Sequence, residues 1–148
     1  MKTWIVVANR SEAKIFTYNN REVEFVFKLE NPRGRLKSGD INADRAGFFT
    51  AGGTMHGSDR SSQQSPTERV AQEFAKTLSD NLEESRIKAD FEEMVLIADP
   101  HFLGLLRNTL SKDLRRLVSR EIPKDLGAVT SEQIQERLWP EEPSTASL

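Results

Sequence analysis

Hydrophobic positions along the chain fall into three patterns, and each predicts a different element. Trp4-Ile5-Val6-Val7-Ala8 is apolar without interruption and rich in β-branched residues, which predicts a strand buried on both faces. Met94-Val95-Leu96-Ile97-Ala98 repeats that pattern. After a polar break at Asn9-Arg10-Ser11-Glu12, Ala13 to Tyr18 reads as a second strand, closed by an expected two-residue turn at Asn19-Asn20. Val23, Phe25, Phe27 and Leu29 then alternate with Glu22, Glu24, Lys28 and Glu30, the period-two signature of a strand with one buried and one wet face; Val26 breaks the alternation. The third pattern is helical. Val70, Phe74, Leu78 and Leu82 recur every four residues, flanked by Ala71 and Ala75.

The helix starts carry their own punctuation. Ser65-Pro66-Thr67-Glu68 places a capping residue, a proline at the first helical position and a Glu able to complete a capping box, for a helix reaching about Lys88. Asp99-Pro100 predicts a second helix to about Leu110, followed by a turn at Ser111. Leu114 to Ile122 reads equally as helix or strand, and Ser131 to Leu138 as a last helix. Residues 31–64 are different. They hold six of the eight glycines and no sustained periodicity, and are expected to form a long mobile loop. The expected architecture is an α/β single domain over residues 1–138: a β-meander, the loop, then α-β-α-β-α, forming a mixed β-sheet with helices on its faces. Residues 139–148, with two prolines and no periodicity, are expected to be a flexible tail.

Composition narrows the function classes. A chain of 148 residues is one ordinary domain, long enough to build a full core. It has no cysteine, which excludes disulfides, thiolate zinc sites, iron–sulfur clusters and cysteine nucleophiles. Lys+Arg number 21 against 23 Asp+Glu, a net charge of −2, which argues against a general nucleic-acid coat or a polybasic membrane binder. The N-terminal apolar run is too short for a signal peptide or a membrane span, so the expectation is a cytoplasmic protein without membrane contact.

Local charge tells more than net charge. Arg107, Lys112, Arg115, Arg116, Arg120 and Lys124 face only Asp113 and Glu121 across residues 101–124, and Arg33, Arg35, Lys37 and Arg45 enrich the loop. Such a cluster suits either a phosphate-contacting surface or a solvated helix face. Gly52-Gly53-Thr54-Met55-His56 is the most glycine-dense stretch. It lacks the Gly-Lys-Ser/Thr of a phosphate loop and does not open a helix, so it reads as a loop tip that approaches a macromolecule closely or as an ordinary loop. His56 and His101 have no ligand spacing, Asp99 is explained by helix capping, and no nucleophile–base pair is apparent; no metal, cofactor or catalytic residue is expected.

Several blocks resemble one family. Trp4-Ile5-Val6-Val7-Ala8-Asn9-Arg10-Ser11-Glu12-Ala13, Asn31-Pro32-Arg33-Gly34-Arg35, Asp44-Arg45-Ala46-Gly47, Phe74-Ala75-Lys76-Thr77-Leu78, Leu96-Ile97-Ala98-Asp99-Pro100-His101-Phe102-Leu103 and Lys124-Asp125-Leu126 resemble, in order, the bacterial host attachment proteins. Asn9 stands where that family's first strand usually ends in Asp. The family is considered similar in fold to the middle domain of archaeo-eukaryotic peptide chain release factors, in which a loop after the meander carries Gly-Gly-Gln into the ribosome. The resemblance implies a ribosome- or tRNA-associated role with Gly52 and Gly53 at the loop tip. Thr54 in place of Gln implies no robust catalysis. The alternatives are a cytoplasmic interaction protein acting indirectly on attachment and a nuclease-like hydrolase.

Overall fold

The two uninterrupted apolar runs lie side by side in the interior of one five-stranded sheet, in a computed structural model that describes residues 2–35 and 65–140. They are strands β1 (Thr3–Ala8) and β4 (Glu93–Ala98), paired in parallel with Val6 opposite Leu96. All six residues of β1 are buried, as expected of a strand covered on both faces. Strands β2 (Glu12–Asn19) and β3 (Glu22–Glu30) continue the sheet antiparallel on one side of β1. Strand β5 (Val118–Ile122) pairs parallel with β4 at the other edge, giving the order β3-β2-β1-β4-β5. The fold is the mixed α/β single domain expected from the sequence.

Helices cover both faces. Helix α1 (Pro66–Ile87), α2 (Pro100–Thr109) and the one-and-a-half-turn α3 (Lys112–Leu117) close over Trp4, Val6, Ile15, Met94 and Leu96. Helix α4 (Ser131–Leu138) covers Ile5, Val7, Phe16, Val95 and Ile97 on the opposite face. Among the described residues no helix is long and apolar enough to cross a membrane.

The structure corrects the sequence reading at four places. Strand β3 does not keep one buried face. Phe16 pairs with Phe25 and Ile15 with Phe27, so Val26 is an extra, bulged residue. Val23 and Phe25 therefore lie on the α4 side, whereas Phe27 and Leu29 pack on the α1 side, and Phe27 meets Trp4 edge-on at 5.9 Å. The turn between β2 and β3 falls one residue later than expected. Asn19 is still paired with Glu22, and Asn20 and Arg21 take the left-handed conformation at φ 54° and 66°. The ambiguous stretch from Leu114 divides into α3 and then β5, because Ser111 caps a helix too short to show a period. At the start of α1, Ser65 accepts from the Glu68 N–H at 3.1 Å as expected, but the Glu68 carboxylate does not close the capping box. It pairs instead with His101, whose Nε2 is 2.8 Å away at the start of α2.

The loop-tip residues Gly52, Gly53, Thr54 and His56, with Lys37 and Arg45, lie outside the described residues, as does the tail beyond Pro140. Trp139 stacks flat on Tyr18 at 3.6 Å.

Candidate nucleic-acid interface

The cations that are adjacent in sequence are distributed by the sheet onto two faces. Helix α3 starts at Ser111, whose hydroxyl accepts from Leu114 N–H at 3.1 Å and donates to Glu83 on α1 at 2.9 Å. Leu114 is fully buried, which orients the short helix and leaves Lys112, Arg115 and Arg116 exposed to solvent. Arg116 reaches Asp113 at 3.3 Å; Lys112 and Arg115 make no ion pair among the described residues. Arg107 of α2 is committed locally, because Glu121 accepts from it at 2.7–2.8 Å and raises its already high pKa. An arginine so held presents less of its charge to an outside phosphate.

Arg120 belongs to the other face. Met94 pairs with Val118 but Val95 with Arg120, so Ser119 is a bulged residue in β5. The bulge turns Arg120 and Ile122 toward α4 while Glu121 stays on the α2 side. There Arg120, Lys124 and Arg137 line a cavity of about 220 Å3 together with Ile97, Ile122, Leu126, Ile134 and Leu138; Arg120 donates to the Leu138 carbonyl at 3.5 Å, and Ile97 and Ile134 are almost fully buried. No carboxylate lines it. Arg33 and Arg35 form a third group on the single 3-10 turn Pro32–Arg35, with Arg33 3.8 Å from Glu73 of α1. Ten residues of α1 separate Glu73 from the Glu83 that meets Ser111, about 15 Å along the axis. The structure thus joins Lys112, Arg115 and Arg116, and separates them from Arg120 and from the Arg33–Arg35 turn.

Two features escape a sequence reading. Arg137 sits in the last turn of α4, where a cation is ordinary dipole complementation, so nothing in the sequence marks it as lining a cavity. The second is a notch of about 460 Å3 at the carboxyl ends of β1 and β4, bordered by Asn9, Asp99, His101 and Asp125. Asn9 Oδ1 accepts from the N–H groups of Ser11 and Glu12 at 2.7 and 3.1 Å, and its Nδ2 donates to Asp125 at 3.3 Å. An aspartate at position 9 could not donate that last bond, which accounts for the amide there. Asp99 caps α2 by accepting from Phe102 N–H at 3.1 Å. Among the described residues no three His, Cys, Asp or Glu side chains are grouped to hold a metal ion.

Comparison with known proteins now assigns the chain. Residues 4–138 match the family described as protein required for attachment to host cells. The chain belongs to this host attachment family. The matched region ends on Leu138, so it covers α3, β5 and the residues that line the α4-side cavity. A relative in Rickettsia prowazekii (strain Madrid E), the uncharacterized protein RP470, is 41% identical over 39 residues. That alignment spans 26% of this chain and 26% of the relative. A solved structure of an archaeal protein is similar over 99% of this chain and 38% of its own length, with a TM-score of 0.45 and 11% sequence identity. The chain therefore spans well under half the length of that protein.

Proposed function

We propose that this host attachment family member is a translation-associated factor that binds the ribosome or tRNA through its basic patches and lacks robust catalysis of its own. The observation that carries the reading is the cluster of exposed cations Lys112, Arg115 and Arg116 on α3, in a chain of net charge −2. A net-acidic protein that gathers cations on short, well-anchored elements is arranged to meet a polyanion locally rather than to coat it. The element order adds support. A strand meander, a long connection and a long helix follow one another in the order that the likeness to release-factor middle domains calls for, with Gly52 and Gly53 in that connection.

Sedimentation of the purified protein with ribosomes, at low and high salt, tests the proposal. Co-sedimentation at low salt that disappears at high salt is expected. Absence from the ribosomal pellet at low salt overturns the reading in favour of an interaction protein.

A further inference from the structure

We propose that the carboxylates of Glu121 and Asp113 occupy, in the free protein, the places that RNA phosphates take on binding: Arg107 and Arg116 exchange one for the other, and so join Lys112 and Arg115 on the RNA. The proposal deepens the RNA reading above and rests on it. The geometry starts from the buried side of the segment. Leu106 and Leu110 lie in the same core cluster as Leu114 of α3, so the last turn of α2 and α3 share one face of the sheet. Arg107, Lys112, Arg115 and Arg116 are all exposed there. Glu121 of β5 stands 14 residues from Arg107 and accepts from its Nε at 2.8 Å and from its Nη2 at 2.7 Å, so this pair ties together the two ends of the segment that carries α3. Asp113 accepts from Arg116 at 3.3 Å and also lies 3.6 Å from Arg86 of α1, which it keeps when Arg116 leaves. The Arg107 and Arg116 side chains are 55% and 69% exposed, so a phosphate reaches both without any part of the core opening.

Charge density decides which anion can make the exchange. A carboxylate on an acidic polypeptide is the same group that Glu121 and Asp113 already supply, and theirs is tethered in place, which gives it a high effective concentration. An RNA strand carries a charge on every unit and releases condensed counterions when a cation neutralises a phosphate, a driving force that a sparsely charged peptide lacks. Lys112 and Arg115 make no ion pair among the described residues and are open to the first contact. The two held arginines then follow. Each ion pair given up is of the surface kind and costs little to break. Two phosphate contacts on a single strand give a salt slope of about 1.4, and four give about 2.8. Glu121 and Asp113 are thus specificity-determining residues: they keep weaker anions off two of the four cations.

The test titrates the full chain with a fluorescent single-stranded RNA dodecamer and with polyglutamate of equal length, over salt concentrations near physiological, where charges further apart than about 8 Å are screened. Arg107→Gln is expected to weaken RNA binding and to lower the slope by about 0.7, although its charge is covered in the free protein. Glu121→Gln and Asp113→Asn are each expected to tighten RNA binding about two- to fivefold at unchanged slope, since the number of phosphates neutralised stays the same. The gain from Glu121→Gln should disappear in the Arg107→Gln background. RNA binding whose slope ignores Arg107→Gln, or a Glu121→Gln gain that survives in that background, overturns the exchange while sparing the RNA reading. A slope that rises by about 0.7 in Glu121→Gln shows that Arg107 stays on Glu121 in the complex of the unaltered protein, and overturns it equally. Polyglutamate bound as tightly as RNA assigns the surface to acidic polypeptides and defeats the selection argued above. Absence of RNA binding by all of these proteins defeats the RNA reading and the proposal with it.

Discussion

Gly34→Ala is the substitution whose effect the structure specifies most closely. Gly34 is buried in the Pro32–Arg35 turn, packed against the corner between β1 and β2. A Cβ added there overlaps the Arg10 carbonyl oxygen and stands 2.6 Å from its carbonyl carbon and 3.0 Å from Ser11 Cα. All three are backbone atoms, so no side chain can swing aside, and the turn must lift from the corner. The two bonds that seat it, Asn31 N–H to Ser11 O at 2.7 Å and Asn31 Nδ2 to Arg10 O at 2.8 Å, are then lengthened or lost. Overpacking of this kind costs about 1–3 kcal/mol, and each bond contributes about 0.5–1.5 kcal/mol net. The lower entropy of an unfolded chain carrying Ala returns about 0.4–1 kcal/mol. The expected net loss is about 2–4 kcal/mol, read as a lower urea midpoint at unchanged slope. At this chain length each kcal/mol lowers Tm by about 2–4 °C. A loss below about 0.5 kcal/mol would refute the packing described for this corner.

Two further predictions concern helix ends. Helix α1 closes with Asp90 N–H on Ser85 O at 3.0 Å and Ala89 N–H on Arg86 O at 2.9 Å, a Schellman arrangement in which Ala89 holds φ 62°. Ala89→Gly relieves that left-handed strain and should stabilise the protein by about 0.5–1 kcal/mol in urea unfolding; a loss of stability would contradict the assignment. Ser111→Ala removes the cap of α3 and should destabilise by about 1 kcal/mol. The Glu83 carboxyl is held below its ordinary pKa of 4.5 by the hydrogen bond from Arg86 and, secondarily, by that from Ser111. Because its folded pKa is lowered, the stability it supplies is complete above the ordinary carboxylate range and is lost as pH falls through the lowered value. Ser111→Ala should flatten that acid limb of a stability–pH curve; an unchanged limb would refute the linkage.

The strands buried on both faces were legible because nothing polar interrupts them. Helix α1 was legible because its apolar spacing and its Ser65-Pro66 start agree. The two bulges were not. Period-two counting assumes one residue per step, so an extra residue at Val26 or Ser119 reverses the face of everything beyond it, and only the pairing partner reveals it. The Val26 bulge sends Phe27 and Leu29 to the α1 side. The Ser119 bulge takes Arg120 out of the cluster its sequence neighbours form. Arg21 at positive φ is likewise a product of the strand register, since Asn would be the expected occupant. The Glu68–His101 pair spans 33 residues and joins two helix starts, a distance at which sequence spacing carries no signal.

The central claim, that the α3 cations meet RNA phosphates, is tested most directly by the salt dependence of binding to a single-stranded RNA. Each neutralised phosphate contributes about 0.7 to the slope of log affinity against log salt for a single strand. Arg115 and Arg116 are exposed, and among the described residues their one ion pair, Arg116 with Asp113, is of the surface kind that contributes about 0–1 kcal/mol, so the fold should survive their replacement. The account predicts that Arg115→Gln with Arg116→Gln weakens binding and reduces the slope by about 1.4. A folded double variant with the affinity and slope of the unaltered protein would contradict it.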